Sequence, residues 1–330
     1  MKSDALAPAD GLRLLADIGG TNARFALASG DCALRAITSV RTADYPTPEA
    51  AIRHYLDEQG ARPVHAALAV ACPVTGDMVR LTNSPWSFST SELKASLGLS
   101  HLGIYNDFTA MALSLPWLGT EDVRQIGGAP PAGDGRRRPL ALVGPGTGLG
   151  VSALLPVAED GWVPLESEGG HVSFAPTSPH EDEILRRLRQ RFGRLSAERV
   201  ISGMGIENVY TVTSEMRDGR AARLSAADVA ARARQGDLAA SETLSFFSSA
   251  FGAFAGDLVL TVGAWGGLYV GGGIPMRLGA LFDTTAFNRG FENKGRYAET
   301  MRRIPRWLIT REHPALLGLA HDLERALDTA

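Results

Sequence analysis

ADIGGTNARFAL (residues 16–27) and LVGPGTGLGVSALL (residues 142–155) decide how this chain folds. Each is a glycine-rich turn between two apolar runs of strand length, and neither runs on into a helical pattern. Residues 12–18 and 24–28 flank the first turn, and 140–143 and 151–155 flank the second, so each reads as strand, turn, strand. Such turns can present several backbone N–H groups to an anion. Two of them, far apart in sequence, predict two halves that hold one polyphosphate, and a nucleotide is the simplest ligand of that shape. The commoner nucleotide motifs do not account for them. No Lys follows either turn, as a Walker loop requires, and Gly144-Pro-Gly146-Thr-Gly148-Leu-Gly150 misses the last spacing of the dinucleotide fingerprint. A tight hairpin whose glycines only supply positive φ would explain either loop singly. Asp17 at the end of a buried strand, with the hydroxyls of Thr21 and Thr147, favours phosphate for the pair.

Working outward, residues 34–40, 64–71, 78–82 and 101–105 read as further strands of the first half, and 47–59 has helical periodicity. Ser89 and Glu92 form a capping box at the start of a short helix. Asn106-Asp107 precedes an apolar helix that Pro116 stops. Residues 124–139 are rich in Gly and Pro and mark a boundary region. The second half restarts at 140–143, becomes helical from Glu181 to about Val262 after the Ser178-Pro179 start, and returns to strand at 268–270 and 306–310. Pro314 opens a last helix, expected to pack on the first half.

The 330 residues suit two domains or one large α/β body, and 45% apolar content is enough for a sizeable core. A net charge of −3 disfavours a general nucleic-acid or anionic-membrane surface. Arg136-Arg137-Arg138, the main basic cluster, reads as a solvated loop. No run of signal or membrane-spanning length is read, and Cys32 and Cys72 form no C-x-x-C pair and are expected as buried, reduced thiols. These features fit a cytoplasmic enzyme.

Three groups of polar residues break local rules. Asp107 lies where a buried strand meets a helix, and is either a cap or a general base at a strand's carboxyl end. In Ser167-Glu168-Gly169-Gly170-His171 the paired glycines argue against a helical metal motif. The loop either turns Glu168 and His171 toward one small polar ligand or closes a salt bridge between them. Glu198, near a helix start, is read from its position alone as a first-turn carboxylate. Carboxylates, an amide and an imidazole gathered in a site suit a polyhydroxylated ligand. A sugar beside a nucleotide implies phosphoryl transfer.

The motifs LLADIGGTNARFAL, ALAVACPVTGDMVRLTN, YNDFTAMA, GPGTGLGV, SEGGHVSFAP, SAERVISGMGIENVY, YVGGGIP, FENKGR and LITREHPALLG, in this order, resemble the bacterial glucokinase family of the sugar kinase and actin-like ATPase superfamily. The resemblance implies two actin-like (ribonuclease H-like) α/β domains, each on a mixed five-stranded sheet, around a deep ligand cleft. It places residues 1–117 with 312–330 in a small domain and 118–311 in a large one. It implies ATP as donor, Mg²⁺ as cofactor, D-glucose as acceptor at its 6-hydroxyl, and a homodimer. Asp107 is then the catalytic base, and Asn106, Asp107, Glu168, His171 and Glu198 hold the sugar. ATP meets Ala16, Asp17, Ile18, Gly19, Gly20, Thr21 and Asn22, then Gly146, Thr147 and Gly148, with Gly271, Gly272 and Gly273 on the adenosine side. Asp17 anchors Mg²⁺ through water. Ser167 stands where the family pattern has Gly, and Ser84 and Pro85 follow Asn83 where bulkier residues are common. The Cys-rich zinc loop of the repressor branch and an N-terminal helix-turn-helix are not found. Another hexose as acceptor, a non-catalytic sugar sensor, and a nucleotide-driven chaperone or filament subunit are the competing readings.

Overall fold

The computed structural model describes residues 11–82, 84–130, 136–157 and 161–328. Asn83, which closes the LTN motif, lies outside them. The chain divides into two compact units, Met1–Leu118 with Arg311–Ala330, and Gly119–Thr310.

In the first unit, β1 (Arg13–Ile18), β2 (Asn22–Ala28) and β3 (Leu34–Arg41) form an antiparallel meander. Helix α1 (Pro48–Gln59) follows, started by the Thr47 side chain, which accepts from Ala50 N, and by Pro48; it stops at Gly60 with φ 60°. Then come β4 (His65–Val70), the short pair β5 (Met78–Arg80) and β6 (Ser87–Ser89), α2 (Thr90–Ser96), β7 (His101–Asn106) and α3 (Asp107–Ser114). Pro116 sits in a 3₁₀ turn, Leu115–Trp117, that follows α3. The main sheet runs β3-β2-β1-β4-β7, with β1, β4 and β7 parallel. Strand alternation gives it two buried faces. Leu14, Ala16, Ile18, Leu68 and Val70 meet Ile52 and Tyr55 of α1 on one face. Leu15, Ala67 and Ala69 pack on Ala110 of α3 and on the chain's last helix on the other.

The second unit contains β8 (Val123–Gly127), the hairpin β9 (Leu140–Pro145) and β10 (Leu149–Pro156), and β11 (Trp162–Ser167). Helices α4 (Pro179–Phe192), α5 (Gly203–Asp218), α6 (Ala226–Arg234) and α7 (Leu238–Val262) precede β12 (Gly267–Val270). The unit ends with α8 (Gly273–Leu278), α9 (Thr284–Glu292), α10 (Ala298–Arg303) and β13 (Arg306–Ile309). The chain then returns to the first unit as α11 (Pro314–Asp328), whose Leu316, Leu319, Ala320 and Leu323 are buried against the first sheet. At about 1.5–3 kcal/mol per fully buried large apolar side chain, these contacts hold the returning helix in place.

The second sheet runs β11-β10-β9-β12-β13-β8 and so has six strands, one more than the resemblance implies. The extra edge strand is β8, antiparallel to β13 and drawn from the stretch read as a boundary region. The opposite edge, β11, contains Pro164, which an edge strand tolerates. Helix α7 corrects another expectation. Its 25 residues are long and apolar enough to cross a membrane by length and composition, although no run of that length is read from the sequence. Most of its apolar surface is buried inside the unit, where Phe247 and Phe251 meet Phe282 and Phe287. It is the central core helix of its unit.

Candidate functional site

In the first unit the parallel strands end side by side: Ile18 pairs with Val70, and Val70 with Asn106. The glycine turn after β1 is closed by Gly19 N–H donating to Asn22 O at 2.9 Å. Thr42 holds it from outside, its Oγ1 donating to Gly20 O at 2.8 Å and its N–H to Thr21 O at 3.0 Å. Asp17 lies on the Leu15 face of β1, and Arg24 Nη1 reaches its Oδ2 at 3.2 Å. Burial pushes the Asp17 carboxyl above the usual range, against the opposing pull of Arg24 and His313.

At the end of β7, Asn106 and not Asp107 is the cap of α3. Asn106 Oδ1 accepts from Phe108 N at 2.9 Å and Thr109 N at 3.3 Å, and its Nδ2 donates to Cys72 O at 3.4 Å. Asp107, the first helical residue, accepts from Phe108 N at 2.9 Å. The preceding Tyr105 donates to the buried Asp322 at 2.6 Å, and Arg325 holds that carboxylate's other oxygen at 2.6 Å. The strand end is thereby fastened to α11. Cys32 and Cys72 are both buried free thiols, pushed up by burial.

In the second unit the β9–β10 hairpin carries Gly146, Thr147 and Gly148. None of Gly19, Gly20, Gly146 and Gly148 has a left-handed backbone, so positive φ is not what these turns require of glycine. A Cβ on Gly146 would meet nothing within 4 Å, which leaves its face open. The hairpin is gripped from two sides. Gly203 N–H donates to Gly146 O at 2.9 Å, where Ser202 caps α5. Gly271 N–H donates to Val143 O at 2.9 Å, and Gly272, with φ 78°, fits so tightly that a Cβ would lie 2.5 Å from Pro145 O.

The remaining polar residues gather beside that hairpin. Glu168 starts a 3₁₀ turn, Gly169–His171. His171 Nε2 lies 4.0 Å from Glu168 Oε2, and His171 Nδ1 lies 4.0 Å from Glu198 Oε1. These separations exceed hydrogen-bond length and stand at the outer limit of an ion pair with a protonated His171, so no hydrogen bond joins the three side chains. Glu168 and His171 are more than half exposed, Glu198 about one-fifth. Glu198 is tied to both neighbours: its N–H donates to Gly170 O at 2.9 Å, and its Oε2 accepts from Leu149 N at 3.1 Å. A cavity of about 370 Å³ elsewhere in this unit, lined by Ser241, Leu244, Phe282 and Asp283, contains none of these groups.

A family model described as Glucokinase matches residues 14–326. The chain belongs to the glucokinase family. It is 47% identical to the glucokinase of Chromobacterium violaceum, over 94% of this chain and 89% of that protein. It is also 47% identical to the bifunctional protein glk of Burkholderia orbicola, over 97% of this chain and 49% of that protein. The chain thus spans about half the length of the bifunctional relatives it matches. Among solved structures, the glucokinase from an Antarctic psychrotroph superposes with a TM-score of 0.86 at 34% identity, covering 96% of this chain and 99% of that one.

Within this family frame, the structure names groups that sequence reading did not single out. Thr42 lies beyond the turn it supports, and no local pattern announces it. Arg24 and His313 sit inside the matched motifs NARFAL and REHPALLG; the β1–β2 register sets Arg24 opposite Asp17, whereas only tertiary proximity brings His313 to it. The N–H groups of Leu149 and Gly203 are backbone donors that carry no residue-type signal.

Proposed function

We propose that this protein is an ATP-dependent kinase that phosphorylates D-glucose at its 6-hydroxyl. One observation carries the reading: Glu168, His171 and Glu198 gather around one turn, and Glu198 also accepts from the glycine hairpin that would hold phosphate. The two carboxylates and the imidazole can accept from or donate to a fan of sugar hydroxyls. Asn106 contributes Nδ2, since its Oδ1 is engaged in the cap. Asp107 takes the proton of the 6-hydroxyl as that oxygen bonds to the γ-phosphorus and the bond to ADP breaks. Residues 16–22 and 146–148 offer backbone donors to the phosphates, and Gly271–Gly273 would border the adenosine. The open face of Gly146 supports a close phosphate approach there.

Mg²⁺ fits the donor set in a limited way. Among the described residues no three His, Cys, Asp or Glu side chains cluster as a metal site. Mg²⁺ commonly keeps several waters and takes one or two carboxylates plus substrate phosphates, and Asp17 supplies such a carboxylate. When bound, the ion neutralises phosphate charge. We read the two compact units as the domains of such a kinase, with boundaries at 118–119 and 310–311, within a residue of those the resemblance implies. A cytoplasmic homodimer feeding glycolysis completes the reading on the strength of the family. Light scattering tests the dimer.

The decisive test is ATP-dependent phosphorylation of a sugar panel by wild type and Asp107→Ala. Glucose should be turned over, and the variant should lose about 10²–10⁴-fold in kcat while staying folded. Turnover of another hexose in preference would change the acceptor. A folded Asp107→Ala enzyme with near-normal kcat would remove the base.

A further inference from the structure

We propose that Glu198 is a coupling residue that ties the sugar-binding turn to the phosphate-binding hairpin, so that each substrate tightens the other's site. The proposal rests on the kinase reading above and deepens it. The two oxygens of this carboxylate face different ways. Oε1 lies 4.0 Å from His171 Nδ1, toward the sugar groups, and Oε2 accepts from Leu149 N–H at 3.1 Å, at the foot of the hairpin. The backbone repeats the link, with Glu198 N–H on Gly170 O at 2.9 Å.

Two glycines allow this approach. A Cβ on Gly148 would lie 2.5 Å from Glu198 Oε2, and one on Gly170 would lie 2.0 Å from Leu149 O. The hairpin and the Glu168–His171 turn are thus in contact through groups with no slack. A charge-assisted hydrogen bond is strong and directional. A phosphate that orders the hairpin therefore orders Leu149 N–H and, through it, the carboxylate that meets the sugar. Linkage makes the effect reciprocal, with couplings commonly about 5- to 150-fold in affinity. Glu198 is on this account a positioning residue for the hairpin as well as a sugar contact.

Cross-effects test this. Gly148→Ala adds a methyl that meets the far end of a flexible side chain, so the fold survives and the carboxylate moves. Calorimetry without nucleotide should show glucose affinity weakened about tenfold or more, although residue 148 belongs to the phosphate side. Gly146→Ala is the control. Its Cβ meets no protein atom within 4 Å, so glucose affinity without nucleotide should stay at the wild-type value while a non-hydrolysable ATP analogue binds more weakly. Glu198→Ala, measured without any sugar, should bind that analogue about tenfold more weakly. A residue that only contacts sugar would leave that value unmoved. Wild-type glucose affinity in Gly148→Ala, or wild-type analogue affinity in Glu198→Ala, overturns the coupling. A wild-type chain that binds neither ligand overturns the kinase reading itself, which is a separate result.

Discussion

Replacing Gly290 by Ala sets two effects of opposite sign against each other. Gly290 lies inside α9, where Ala is favoured over Gly by about 1 kcal/mol on helix propensity. Packing opposes this. A Cβ at 290 would stand 2.3 Å from Ser249 O and 2.9 Å from Ala253 N, both backbone atoms of α7. Ordinary contact needs about 3.5 Å, so the helices must part by about 1 Å. Phe247 and Phe251 of α7 and Phe287 and Phe291 of α9 are each at most 1% exposed, with Phe251 and Phe287 edge to face at 5.1 Å. A buried side chain of this size makes about 40–60 contacts of about 0.1–0.2 kcal/mol each, and a gap near 1 Å forfeits about a quarter to a half of each. If about a third of those contacts cross the seam, the four rings lose on the order of 2–5 kcal/mol. Packing wins, and Gly290→Ala should be destabilised by about 1–4 kcal/mol once the propensity gain is subtracted. Urea unfolding followed by far-UV circular dichroism should show a lower midpoint with unchanged slope. A midpoint at or above wild type would refute the reasoning.

The FENKGR motif supplies a second prediction. Arg306 is 2% exposed, bonded to Glu292 Oε1 at 3.0 Å and set over the Phe291 ring at 4.6 Å. Glu292→Ala strands this buried cation and should cost about 3 kcal/mol, whereas adding Arg306→Met should recover most of the loss; a double variant as unstable as the sum of the singles would contradict this. A third prediction concerns acid. Bonds from Arg186 and Arg187 hold the partly exposed Glu183 at about 2, below its usual 4.5. A depressed carboxylate contributes stability above 4.5 and loses it as pH falls toward 2. Glu183→Gln should therefore melt slightly below wild type at pH 7, the gap closing near pH 2 and in high salt. An equal gap at both pH values would exclude the mechanism.

Local chemistry made much of this protein readable from its sequence. The two glycine turns stand out because glycine between apolar strands is a short-range signal. The starts of α1, α2 and α4 are legible because Thr47, Ser89 and Ser178 cap within their own first turns. The order of motifs carried the family and the α/β plan. Edge strands were harder. The β8 sequence VRQIG and the β11 sequence WVPLES lack a buried alternating face, so their pairing is decided by the strands beside them. Composition could not tell α7 from a membrane span, because burial in the protein core and burial in lipid select the same apolar residues.

The site divides in the same way. Sequence alone marked Asn106, Asp107, Glu168, His171 and Glu198 as a set through the family's motifs. It could not say that Asn106 takes the cap and leaves Asp107 as the first helical residue, since either side chain can cap. Nor could it join Thr42 to Gly20 or Glu198 to Leu149, separated by 22 and 49 residues. Those bonds use a backbone atom on one side, and backbone atoms are the same in every residue. Only the folded chain decides which of them a side chain reaches.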